Sequence, residues 1–160
     1  MRAALSIILL SIFLVGCGCH KDTDTFLENA GNANDGFTND FGRLLIEKNF
    51  AKAYMMTSPE YQKGHSEVTF QQAFEKAQQL LAPGRNLTQV QVSHGELPTS
   101  EPEATSTYQF PPDIIEKKST WKNWNIAELS DKDGQGFSVF HLVMDDGTGP
   151  KIGVISYERL

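Results

Sequence analysis

From Phe37 onward the apolar residues recur with a helical period. Phe37, Phe41, Leu44 and Leu45 fall at i, i+4, i+7 and i+8, the Lys48 stem continues the row at i+11, and Asp40, Arg43 and Glu47 lie elsewhere. That spacing gathers one apolar stripe on an amphipathic helix. Asn49 interrupts it, and Phe50 to Met56 predicts a second short helix ending near Thr57. Ser58-Pro59-Glu60 predicts a restart, because a serine oxygen accepts from the orphan amides of a first turn and proline fits the first helical position without losing a needed donor. Gly64 then permits a turn. Ser66 is the expected cap of a longer helix, with Glu67 in its favourable first turn and Phe70, Phe74, Ala77 and Leu81 along one face. Pro83-Gly84 ends it.

Beyond Gly84 the period changes. Leu87 to Ser93, about Ala104 to Phe110, Trp121 to Leu129, Phe137 to Met144 and Ile152 to Tyr157 are β-prone runs separated by turn residues. Alternation puts Phe137, Val139, His141 and Val143 on one face of their strand and Ser138, Phe140, Leu142 and Met144 on the other, so both faces are apolar. Trp121 and Trp124 have opposite parity, so a regular strand turns only one of them toward the helices. Asp131-Lys132-Asp133-Gly134 and Asp145-Asp146-Gly147-Thr148-Gly149 supply the residues that tight hairpins need. A calcium loop starting at Asp131 would require a glutamate at position 142, where Leu142 stands. Helices first and strands later define an α+β class, with an amphipathic layer of N-terminal helices covering one face of a mainly antiparallel sheet.

The segment before these elements has a different purpose. Met1-Arg2 precedes a 13-residue apolar run, Ala3 to Val15, and then Gly16-Cys17. This has the form of a signal peptide, and it is too short for the roughly 20 residues that cross a bilayer. Leu14-Val15-Gly16-Cys17 resembles the lipobox of bacterial lipoproteins. That resemblance implies export, a diacylglyceryl group on the Cys17 thiol, cleavage after Gly16, and attachment of the mature chain to a membrane of the cell envelope. In a diderm host, Gly18 in place of aspartate after Cys17 lacks the inner-membrane retention signal and favours the outer membrane. The chain therefore divides into a leader, 1–16; the lipidated cysteine with a tether rich in Gly, Asn, Asp and Thr, 17–35; and a domain, 36–160. Eighteen flexible residues would reach roughly 20 to 25 Å.

Composition narrows the function. At 160 residues, 39% hydrophobic and 21% charged, the chain suits one globular domain. Its net charge of −6, with Lys and Arg scattered among more numerous carboxylates, offers no basic stripe for nucleic acid or for anionic lipid. Acylation of Cys17 leaves Cys19 alone, so no disulfide staples the fold. Cys17-Gly18-Cys19-His20 has one residue between its cysteines, where haem attachment needs two. No phosphate loop, dinucleotide fingerprint or nucleophile elbow is present. No metal or cofactor is expected.

The order of elements, together with Leu44-Leu45, Phe50-x-x-Ala53-Tyr54, Ser58-Pro59-Glu60-Tyr61 and the capped helix through Phe70 and Phe74, resembles small exported domains of the nuclear-transport-factor-2-like, cystatin-like superfamily. The likeness covers about residues 36–160. It implies helices packed into a strongly curved, cone-like sheet with a cavity at the open end. That superfamily includes isomerases, dehydratases and many non-catalytic binding domains, and no local motif here fixes the catalytic positions.

His141 is the weak candidate for catalysis, because an imidazole lining a cavity can act as acid or base near neutral pH. A histidine inside an apolar strand is more often a satisfied core residue. Tyr54, Tyr108, Trp124 and Glu128 are the groups that could join it around a ligand, since a pocket combines aromatic walls with a few polar groups. Three readings stay open: a non-catalytic module for a small apolar ligand or an envelope protein, an isomerase or dehydratase using His141, and a self-associating structural lipoprotein that forms a homodimer.

Overall fold

The computed structural model describes the backbone of residues 22–160 and the side chains of residues 34–160. The leader, the lipobox and Cys17 lie outside the described residues. Helix α1 spans Asp22–Ile46. It begins well before Phe37, so most of the stretch that composition assigns to a tether is helical. Nucleation is the costly step of helix formation, and a docked segment from Phe37 to Ile46 supplies it, so each further turn upstream costs little.

The end of α1 closes in a Schellman motif: the Asn49 amide donates to Leu44 O at 2.8 Å and the Lys48 amide to Leu45 O at 3.1 Å. Lys48 takes the left-handed conformation this requires, with φ 57°. Its stem therefore leaves the stripe that spacing assigned to it. Short helices α2, Phe50–Met55, and α3, Pro59–Gly64, follow, and α4 spans Glu67–Leu81. Ser58 and Ser66 cap α3 and α4 as expected, accepting from the Tyr61 and Thr69 amides.

Four antiparallel strands form a meander in the order β1-β2-β3-β4. They are β1, Gln89–Gly95; β2, Trp121–Ser130; β3, Gly136–Met144; and β4, Lys151–Arg159. In the β2–β3 turn Gly134 has φ 75°, and Asp131 Oδ1 accepts from the amides of Asp133 and Gln135. The Gln135 amide leads the causes that hold the Asp131 carboxyl below its ordinary range, and Arg85 at 3.1 Å adds to it.

The run from Ala104 to Phe110 is not a strand. Helix α5, Glu101–Ser106, occupies its start, and α6, Pro112–Ile115, and a 3-10 turn at Lys118–Thr120 lead into β2. The signal lay just upstream: Ser100 caps the Glu103 amide, and the Glu103 carboxylate reaches back to the Thr99 amide at 2.7 Å. Ser-x-x-Glu is the pattern of a capping box, and here it outweighs the alternation of aromatics that follows.

Both faces of the sheet are covered, in agreement with the two apolar faces of β3. On one face α1, α2 and α4 bury Phe41, Leu45, Phe50, Phe70 and Phe74 against Leu129, Phe137 and Val139. Gly42 lets α1 approach: a Cβ there would lie 2.7 Å from Val90 Cγ1 and 3.3 Å from Leu129 Cδ2. On the other face Ala104, Phe110 and Ile114 cover Trp124, Leu142 and Met144. Trp121 and Trp124 share this second core despite their opposite parity, their rings 5.2 and 5.4 Å from Phe110. A register shift between Trp121 and Asn123 explains it, since one extra residue in a bulge inverts the alternation. Among the described residues no helix is long and apolar enough to cross a membrane.

Candidate ligand cleft beside β4

A cleft of about 320 Å³ runs along β4. Tyr61, Gly64 and His65 form one wall and Pro111, Asp113 and Ile114 the other, with Gly153, Val154, Ile155 and Tyr157 at the base. The capped, proline-started turn of α3 fixes the first wall, and α6, started by Pro112, fixes the second. Apolar and aromatic groups dominate the lining. Glu60 and Asp113 are its acidic residues, and no Lys or Arg lines it.

Tyr157 is the unusual member. Its hydroxyl is shielded from solvent and has no hydrogen-bond partner among the described residues. Leaving such a group unpaired costs about 1 to 3 kcal/mol, so the fold carries an expense here that a bound partner group would offset. Phe74 and Phe137 hold the ring edge-on, with centroids 6.3 and 6.2 Å away. Burial and then the neighbouring Tyr61 push the Tyr157 phenol up, so it stays protonated and serves as a donor. Burial, with Tyr54 second, likewise pushes Tyr61 up to about 12.

His65 stacks on Tyr61 with ring centroids 4.2 Å apart and planes 14° apart. Its Nδ1 lies 3.0 Å from Tyr61 O, and a carbonyl only accepts, so Nδ1 carries a proton. In neutral imidazole Nε2 is then left as an acceptor. Tyr61 and Tyr157, the phenols at the heart of the cleft, and His65 were not among the ligand-binding residues expected from the sequence, where Tyr61 entered only through the resemblance. Their convergence depends on β4 lying at the sheet edge, which spacing along the chain does not reveal.

The five residues expected around a pocket are not brought together. Tyr54 donates its hydroxyl to His65 O at 2.6 Å, so it braces the back of the α3 wall. Tyr108 and Trp124 meet edge to face at 5.5 Å beside a separate depression of about 330 Å³. Glu128 accepts from Ser93 Oγ at 3.2 Å across the β1–β2 pair.

His141 is fully buried in the main core and lines none of the clefts described here. Burial brings its pKa down to about 4. Its Nδ1 lies 3.2 Å from Val139 O, so that nitrogen donates and Nε2 accepts from the Thr38 hydroxyl at 3.1 Å. Thr38 Oγ1 in turn accepts from Asn125 Nδ2 at 2.7 Å, and Asn125 Oδ1 accepts a hydrogen bond from His94 Nδ1 at 3.0 Å. The carbonyl of Val139 thus sets the direction of every bond in the series. At its outer end His94 Nε2 lies 2.9 Å from Asp35 Oδ1, a contact that becomes an ion pair when the imidazole is protonated.

A wider groove of about 880 Å³ between α1 and β1 is shallow and open, with Asp35, Asn39, Asp40, Gln89 and Gln91 on its rim. Among the described residues no three His, Cys, Asp or Glu side chains gather in a way that could hold a metal ion. Comparison with family models, with curated proteins and with solved structures finds no match to this chain.

Proposed function

We propose that this chain is a lipid-anchored, non-catalytic binding module of the bacterial cell envelope, taking its ligand in the cleft beside β4. The observation that carries the binding reading is the enclosed, unpartnered Tyr157 hydroxyl at an apolar cleft of about 320 Å³. A cleft near the lower end of the usual ligand-pocket range, with mainly apolar walls and the phenols of Tyr61 and Tyr157 among its lining, selects a ligand with an apolar body and a hydrogen-bond acceptor. Glu60 and Asp113 favour a positive charge at its rim.

The anchor reading rests on Leu14-Val15-Gly16-Cys17 after a bounded apolar leader. Two acyl chains on Cys17 supply the pair of membrane signals that stable attachment takes, where a single chain gives only marginal binding. For the architecture we take the cone-like, cystatin-like fold as the finer reading. The register shifts at Trp121/Asn123 and Leu142/Val143 support it, because bulges bend and twist a sheet.

Two measurements test these readings separately. Radiolabelled palmitate is expected in the native chain and absent from Cys17→Ser; label retained by the variant would end the anchor reading. Native mass spectrometry of the purified protein is expected to show mass above the polypeptide that is lost in Ala73→Trp, since Ala73 of α4 also lines the cleft and an indole there would fill it. An unliganded chain from every preparation, with all added compounds ignored, would end the binding reading.

A further inference from the structure

We infer that the ligand of this cleft is a basic polypeptide segment in extended conformation, which adds to β4 as a fifth strand. The inference rests on the reading of the cleft as the ligand site and names the ligand's class. β4 is an edge strand. Among the described residues its outer edge is engaged only at Ile152, where the Ser58 amide donates to Ile152 O at 2.7 Å and the Ile152 amide to Met56 O at 3.0 Å. This short parallel bridge pairs Thr57 with Ile152, and then the chain turns away into α3. From Gly153 to Arg159, no backbone hydrogen bond reaches the outer edge of β4 among the described residues.

The cleft lies along that open edge. Successive residues of a strand point to opposite faces, yet Gly153, Val154 and Ile155 all line it, so it borders the strand's rim and not one face. Unpaired amides and carbonyls beside an apolar trough are the geometry of strand addition, in which main-chain bonds give affinity and alternate side chains enter pockets. A side chain of the added strand would fill the trough near Tyr157 and Ile155. Its neighbours would meet Glu60 and Asp113, with no cation of the cleft to oppose a Lys or Arg. A second copy of this chain, at −6, would bring carboxylate to carboxylate and is the poorer occupant.

The test uses the full chain and three peptides: acetyl-Lys-Thr-Val-Lys-Val-Thr-amide, the same peptide methylated at alternate backbone nitrogens, and a version with Glu for Lys. Saturation with the first is expected to slow hydrogen exchange at residues 153–159 by about tenfold or more. The methylated peptide, which keeps every side chain and loses the ladder, is expected to bind roughly tenfold more weakly. The acidic peptide is expected not to bind, and Glu60→Gln with Asp113→Asn is expected to weaken the basic peptide several-fold and flatten its salt dependence. Equal binding of the methylated peptide, or binding without protection of β4, would overturn strand addition. If a small molecule retained by the native protein is released by Ala73→Trp while no peptide protects β4, strand addition fails and the cleft reading survives. If neither small molecule nor peptide occupies the cleft, both fail.

Discussion

Thr38 on α1 and His141 on β3, more than a hundred residues apart in sequence, are joined inside the core by a hydrogen bond of 3.1 Å between Oγ1 and Nε2. Burial keeps the imidazole neutral, and with Nδ1 donating to Val139 O its Nε2 is left to accept from the Thr38 hydroxyl. The candidate acid or base of the sequence is thereby a structural joint between helix and sheet.

That joint predicts a pH dependence of stability. The folded-state pKa of His141 is depressed to about 4 from an ordinary 6.5. Between those values the unfolded chain binds a proton that the folded chain refuses, so its contribution is fully present above pH 6.5 and is lost as pH falls toward 4. A shift of that size corresponds to about 3 kcal/mol. Urea melts of the native protein and His141→Gln across this window check it. The native midpoint should fall more steeply with acid, and parallel curves would show that the imidazole is not held neutral.

Lys48 predicts a gain. Its φ of 57° places an exposed side chain in the left-handed region at the end of α1. The Cβ there costs about 1 to 2 kcal/mol, and glycine removes that cost while adding unfolded-state entropy. Lys48→Gly should stabilise by about 0.5 kcal/mol, read as a raised denaturation midpoint at unchanged slope. A loss of stability would mean that the Lys48 side chain makes a contact worth more than the strain.

At Gly42 the balance has the opposite sign. Alanine in a helix interior gains about 1 kcal/mol over glycine by propensity. A Cβ 2.7 Å from Val90 Cγ1 must push α1 away from β1 and β2, and overpacking of that kind costs about 1 to 3 kcal/mol. Gly42→Ala should therefore destabilise by about 1 kcal/mol or more, measured by thermal unfolding. A higher melting temperature would show that the helix is free to shift outward.

The periodic parts of this chain were legible because helix and strand spacing follow from burying one face. The helices from Phe37 to Leu81 and four of the five predicted strands came from that rule, and the Ser58 and Ser66 caps from the chemistry of a helix's first turn. Residues 22–35 did not, because composition counts the poor propensity of Gly and Asn and not the low cost of extending a helix already nucleated. The bulge at Lys122 was invisible to parity, which assumes a regular strand. The cleft was the least legible feature, since Tyr61, Ile114 and Tyr157 meet only because the sheet ends at β4.

Tyr157 separates stability from binding. In the free protein its buried hydroxyl has no partner, so Tyr157→Phe removes a desolvated group with little change of shape and should stabilise the fold by about 1 kcal/mol. The same change deletes a shielded, unpartnered donor beside the cleft, so on the proposed reading occupancy should fall even as the melting temperature rises. A purely structural tyrosine would give the opposite pairing: reduced stability, because a bond went unseen, and unchanged retention of ligand. Differential scanning calorimetry beside native mass spectrometry on one preparation reads both quantities. A more stable variant with weakened binding is the trade expected where a polar group is kept unsatisfied for an incoming partner.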